Sequence, residues 1–277
     1  MKRAHKYLTK INTPLEELLH EAIVKSELKE VYQHSKTKQS DESVDKYIER
    51  IKVESEQFQF VPVKSKTGSI QYAAFGTPGS VINEYGEFWM IPGQIVGGKW
   101  GIHYFLIYPD FEKLNNQEQL FIRIDSGCFI GMVFNDNTCD CKQQLEVAMK
   151  KCVDNKSGLI IEIPKQDGRG WGEFKMANQR ITNELGINTV ETARMFYEDD
   201  NLCDRRDYDE AALLLKALGL GNKKITLGTN NPKKIEAFLN LEIEVVESQR
   251  IMSPKLSDIA KSDLAAKAKE WKHAIIF

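Results

Sequence analysis

Three of the chain's five cysteines fall in one short stretch, GCFIGMVFNDNTCDCKQQLE, from Gly127 to Glu146. Cys139 and Cys141 are separated only by Asp140, and Cys128 precedes the pair by ten intervening residues. No histidine occurs between His103 and His273. A helix N-terminus or a bound Zn²⁺ favours thiolate over thiol, and a helical pattern starts just after Cys141. Structural zinc sites take four protein ligands, whereas catalytic ones take three and leave a position for water. Three ligands are offered locally. Cys152 falls on the apolar face of the next helix with Leu145, Ala148 and Met149, where free cysteine is ordinarily a core residue. Cys203 is a distant fourth candidate. Two readings stand on spacing alone: a three-cysteine metal site, or three buried or reactive thiols.

Other stretches carry chemistry of a different kind. In TNNPKK, Asn231 reads as an N-cap, Pro232 as the first helical residue, and Lys233 and Lys234 as the first turn. Cations there oppose the helix dipole, so either an anion completes the site or the lysines are simply solvated. QDGRGWG follows a strand and precedes a helix; its glycines permit close backbone approach and Arg169 adds a fork suited to phosphate. It is not the dinucleotide fingerprint, and a lone glycine-rich loop is weak evidence. CDRRDY sets Asp204 and Arg206 two apart at a helix entry, which by itself reads as a capping salt-bridge cluster. Trp89 and Trp171 are able to stack on a purine, with burial in a core as the default.

The elements that must position these groups follow from composition and periodicity. The 277 residues, 42% hydrophobic and 28% charged, can bury one large core or two smaller ones. A net charge of −2 gives no global reason to bind nucleic acid or an anionic membrane. No apolar run approaches the roughly 20 residues that span a bilayer, and the N-terminus lacks a signal-peptide core. The cytoplasm is the expected location. LEELLHEAIV and VDKYIERIKV have helical spacing, joined by the polar KTKQSDES, and define a helical N-terminal extension over residues 1–68. From Ser69 the texture becomes β-rich: SIQYAAFG, EFWMIPGQIV, IHYFLIYPDF and LFIRIDSG. Helices and strands then alternate: the helix CKQQLEVAMKKCVDNK, the strand GLIIEIPK, the helix EFKMANQRITNELG, a short segment INTVETA, the helix RDYDEAALLLKALGLG, the strand KITLGT and the helix NNPKKIEAFLNL. The expected class is α+β, a mixed α/β fold, with residues 69–277 as one domain.

Taken together, RIDSGCFIGMVFNDNTCDCKQQLE, QDGRGWG, NTVETA, CDRRDY and LGTNNPKK resemble, in order and approximate spacing, the GTP cyclohydrolase II family of riboflavin biosynthesis. The resemblance runs from about Tyr85 to Gln249, and more weakly through the AKAKEW tail. It implies a zinc ion on Cys128, Cys139 and Cys141 that acidifies water for attack on C8 of GTP, with release of formate and pyrophosphate. It also implies Mg²⁺ to neutralise the triphosphate, a homodimer, Asp204 as proton acceptor and Arg206 as nucleophile toward the α-phosphorus. Arginine is a poor nucleophile, its pKa being above about 12, so electrostatic stabilisation is physically the easier role. Arg123, Gln144, Asp167, Gly168, Arg169, Thr189, Thr229 and Lys234 match substrate-binding positions.

The pattern also departs from the family. Asp125 and Gly127 stand where a histidine and a glutamate are common, Asp167 replaces a glutamate, and three extra residues precede Asp204. Arg180 takes the place of an aromatic residue on the guanine side. From Arg180 follows the expectation of slow deformylation and accumulation of a formylated pyrimidine. Two alternative functions accompany the main one: a paralogue acting on another nucleotide, in pyrimidine catabolism or secondary metabolism, and a non-catalytic nucleotide-binding zinc domain.

Overall fold

The structure, a computed structural model, describes residues 42–55, 59–253 and 256–273. LEELLHEAIV and most of KTKQSDES lie outside the described residues. VDKYIERIKV forms the expected helix, α1 (Val44–Ser55). The fold is mixed α/β, as expected, built on a nine-stranded sheet.

Antiparallel strands come first: β1 (Gln59–Lys64), β2 (Ile70–Phe75), β3 (Gly79–Asn83), β4 (Gly86–Ile95) and β5 (His103–Tyr108). The sheet therefore begins ahead of Gly68, because β1 pairs with β2 along its whole length, from Gln59 opposite Phe75 to Lys64 opposite Ile70. Charged and proline residues in QFVPVK hide this strand from a pattern search, but an edge strand tolerates both. The domain boundary expected at residue 68 thus falls inside a hairpin.

After a short helix α2 (Phe111–Asn115), the chain enters β6 (Gln119–Asp125) and a turn of helix, α3 (Phe129–Val133). The longer α4 (Cys141–Asp154) leads to β7 (Gly158–Glu162), parallel to β6. Beyond the glycine-rich turn lie α5 (Lys175–Leu185) and α6 (Thr189–Phe196). INTVETA is thus the start of a helix, capped by Asn188, whose side chain accepts from the amides of Val190 and Glu191. The remaining elements are α7 (Asp209–Ala217), β8 (Lys224–Gly228), α8 (Pro232–Leu239), β9 (Val245–Gln249) and α9 (Asp258–Trp271).

Strand order is β1-β2-β4-β5-β7-β6-β8-β9, with β3 on β4. Parallel β6 is flanked by β7 on one side and β8 on the other. Connections leaving β6 and β7 therefore diverge, and open α/β sheets bind ligands in the crevice beyond the carboxyl ends at such a switch. Along β6, Leu120, Ile122 and Ile124 enter the main core with Leu214 of α7 and Phe238 of α8, while Phe121 enters a second core with Ala148 and Cys152 of α4. By the two-residue period of a strand, Arg123 and Asp125 share the face of Phe121. Both are buried at the carboxyl end. Among the described residues, no helix is long and apolar enough to cross a membrane.

Candidate active site

Everything with chemical potential gathers at the carboxyl ends of β6, β7 and β8. The loop after β6 carries Cys128, and α4 begins at Cys141. The ligand atoms of Cys128, Cys139 and Cys141 lie within 4.8 Å of one another, with 3.7 Å between the sulfurs of Cys128 and Cys139. Gly131 packs beneath them: a Cβ there would come 2.7 Å from the Cys139 sulfur. Hydrogen bonds from Cys139 and Cys141, aided by Lys175, hold Cys128 far below the ordinary thiol range. The same proximity drives Cys139 up to about 12 and Cys141 well upward. Three mutually opposed thiols are a poor arrangement for protons and a good one for a soft divalent cation, which stabilises all three as thiolates at once. The donor set fits zinc. Cys152 is buried in the core against α4's own sheet face, and Cys203 packs with Trp171 and Ala193, so neither joins the cluster.

Two adjoining cavities open on this cluster, with room for about 120 Å³ and about 100 Å³ of solvent. Both are lined by Cys128, Cys141 and Arg206. The first adds Gly168, Arg169 and Thr189; the second adds Arg123, Gln144, Thr229 and Lys234. Nearly every residue singled out from sequence thus reaches one wall or the other.

Arg123 is held by three acceptors: Gly228 O at 3.1 Å, Asp125 Oδ2 at 3.2 Å and Gln144 Oε1 at 2.7 Å. Gln144 in turn donates to Asp140. Asn231 caps α8 by accepting from Lys233 N, with Pro232 behind it, and Thr229 Oγ1 accepts from Asn231 N at 3.0 Å. Lys234 is buried, donates to Ile124 O at 2.7 Å, and lies over the Tyr208 ring. Burial, and then the charge of Arg123, lowers its pKa well below the usual lysine value.

Asp204 and Arg206 form a buried bidentate pair, with Nε and Nη2 each 2.8 Å from a carboxylate oxygen. The expected capping role is not seen: Asp204 ends the turn Asp200–Cys203, and α7 starts only at Asp209. Burial alone would raise the Asp204 pKa, but the charge and hydrogen bonds of Arg206, with the charges of Lys233 and Arg169, together outweigh it and hold the carboxyl far below its normal range. Arg206 is correspondingly fixed as a cation, since Asp204 more than offsets its own burial. A nucleophilic guanidine is the opposite of what this pairing produces.

The glycine-rich turn is kinked. Gly168 and Arg169 both have positive φ, 56° and 63°. A Cβ at Gly168 would meet Lys175 at 2.6 Å. Asp167 accepts from Lys175 Nζ at 2.8 Å, and the same ammonium lies 3.5 Å from the Cys128 sulfur. Arg169 spends its fork on Thr189, through the carbonyl and the hydroxyl. Trp171 is buried against Phe196 and Tyr197 and donates to Leu202 O, the core alternative raised by sequence. Trp89 sits in β4 opposite Ser80 and Ile107.

A family model described as GTP cyclohydrolase II matches residues 84–250. The chain belongs to the GTP cyclohydrolase II family. It is 38% identical over 157 residues to GTP cyclohydrolase-2 of Vibrio parahaemolyticus, covering 57% of this chain and 75% of that protein. The enzyme of the same name from Vibrio vulnificus is 40% identical over the same shares. The riboflavin biosynthesis protein RibBA of Aquifex aeolicus is 33% identical over 162 residues, 53% of this chain and 38% of that protein. Membership makes this chain a hydrolase enzyme.

Against the family pattern, Arg180 needs correction. It is exposed and paired with Glu184 one helical turn on, so it lines neither cavity. On that helix Lys175, Asn178 and Gln179 face the first cavity instead. Arg180 therefore gives no reason to expect slow deformylation. Gly127, at the position where the family commonly has glutamate, has φ +56°, and a Cβ there would lie 3.0 Å from Pro164 backbone and 3.2 Å from Glu162 Oε1. A carboxylate has instead arrived from β7. Glu162, which sequence reasoning passed over, is pushed up to about 8, first by burial and then by Asp125. Its position at the end of an apolar strand, IIE, was the available signal. Lys175, Asp263 and Lys267 were also missed; lysines and aspartates on helices ordinarily read as solvated.

Proposed function

We propose that the protein opens the imidazole ring of GTP, releasing formate and pyrophosphate and leaving a diaminopyrimidinone ribosyl phosphate, in riboflavin biosynthesis. The observation that carries this reading is that Cys128, Cys141 and Arg206 line both cavities, with Cys139 on the first and Asp204 hydrogen-bonded to Arg206. Cys128, Cys139 and Cys141 would hold zinc, which when bound would supply a Lewis acid that makes water a better nucleophile near neutral pH.

The protein's own groups do the rest. Arg123 and Arg206 line the second cavity and present cations to a polyphosphate, whose charge would in turn favour the protonated form of Lys234 beside them. Mg²⁺ would accompany the triphosphate and neutralise part of its charge. When the Arg206 fork turns to the α-phosphate, Asp204 loses the partner that suppresses its basicity. Substrate binding thereby converts an inert carboxylate into a proton acceptor. Arg206 itself stabilises charge at phosphorus.

The direct test is incubation of the zinc-loaded protein with GTP and Mg²⁺, following formate, pyrophosphate and the pyrimidine by mass spectrometry. Formate and pyrophosphate in equal amounts are expected. Turnover of another nucleotide with none of GTP would overturn the reading.

A further inference from the structure

The family match stops at residue 250, yet α9, which follows it, walls both cavities. This helix is anchored along its whole length to groups that form the site. Ser257, its N-cap, donates to Asn137 O at 2.6 Å in the loop between the cysteines. Asp263 accepts from Thr189 Oγ1 at 2.5 Å and lies 3.9 Å from Arg169. The Arg169 guanidinium lies 4.7 Å from the Trp271 ring centre. Glu270 pairs with Arg194 of α6 at 2.9 Å. Four anchors on three neighbouring segments hold one helical face over the pocket.

On that face, Lys267 is common to both cavities, alongside Cys128, Cys141 and Arg206. Its ammonium pairs with Asp263 Oδ2, and a lysine carries three donors, so capacity remains toward the cavities. The surroundings are rich in positive charge. His273, at the end of the same segment, is driven down to about 3, first by burial and then by Lys267, Arg206 and Lys234. Cations collected around the two cavities favour a multiply charged anion.

We propose that α9 is part of the substrate site and that Lys267 binds the polyphosphate of the nucleotide beside Arg206. The inference rests on the function proposed above, and adds a binding residue from outside the family-matched region. Asp263 is then a positioning residue, which fixes Lys267 on one side and Thr189 and Arg169 on the other.

The test compares Lys267→Ala, Lys267→Arg and Lys261→Ala in the full chain loaded with zinc. Binding of inorganic tripolyphosphate is measured by calorimetry, and KM and kcat with GTP. Lys267→Ala should weaken tripolyphosphate binding and raise KM about tenfold or more, with a smaller fall in kcat and unchanged inhibition by guanosine. Lys267→Arg should recover most of the affinity. Lys261, exposed on the same helix and paired with Asp258, should be silent. Equal tripolyphosphate binding by wild type and Lys267→Ala would overturn the proposal, as would equal weakening of guanosine, the mark of a merely structural role. If the wild type turns over no GTP, the functional reading fails, while the calorimetric comparison still decides the role of Lys267.

Discussion

At the scale of single residues, the site depends on pairs whose members set each other's charge. The three sulfurs cannot all ionise without a cation, so replacing Cys139 or Cys141 by Ser should remove most of the zinc and abolish ring opening. Elemental analysis checks the first and formate assay the second. Cys152→Ser, in the core, should retain full metal content and cost only packing. Arg206→Ala should abolish pyrophosphate release and also destabilise the protein by about 3 kcal/mol or more, because Asp204 is left as a buried unpaired anion. Urea unfolding measures that loss, and an Arg206→Ala protein as stable and active as wild type would refute the pairing argument. The cysteine cluster was legible in the sequence, because thiols at one-residue spacing are rare and local; Asp204 and Arg206 stood out only through the order of the family's motifs. Glu162 and Lys267 were less so: an apolar run before Glu162 was the one local hint, and the partial burial of both comes from strand order and from the docking of α9.

Among elements, α8 and β5 carry the clearest consequences. The Asn231 cap orders the first turn of α8, which places buried Lys234. Asn231→Ala should cost about 1 kcal/mol in stability and raise KM for GTP by loosening that turn. In β5, His103 is fully buried, with Nδ1 2.9 Å from Gly101 O. Burial lowers its pKa to about 4. A histidine with a depressed folded-state pKa binds fewer protons folded than unfolded between pH about 6.5 and about 4, so stability falls as pH drops through that window. The loss is about 3 kcal/mol. Denaturation midpoints taken across the window should fall more steeply for wild type than for His103→Asn. Helices α4, α5, α7 and α8 announced themselves through apolar periodicity. Helix α6 did not, since NTVETA carries β-branched residues and its helicity is decided by the Asn188 cap and by packing on α5 and α9.

For the whole molecule, one continuous sheet joins the antiparallel half to the parallel half that bears the site. β1 belongs to this sheet: Phe60 and Val63 are buried, and Lys66 in the following turn pairs with Asp209 of α7 at 2.6 Å. A chain starting at Ser69 should therefore lose roughly 1.5–3 kcal/mol for each of those two side chains and expose β2 as a raw edge. It should melt lower and aggregate more than a chain starting ahead of β1, as differential scanning and light scattering would show. The sequence concealed this because QFVPVK lacks the alternation of an interior strand.

The alternation of β6 has a further meaning for error tolerance. Odd positions Phe121, Arg123 and Asp125 face one way, and Leu120, Ile122 and Ile124 the other. Losing a single codon inside this strand would turn every following side chain over. Aliphatic groups would then enter the nucleotide crevice at the very step that drives charges into the main core. Such a lesion has no intermediate grade of damage: the protein that misplaces its arginine is also the protein that cannot fold.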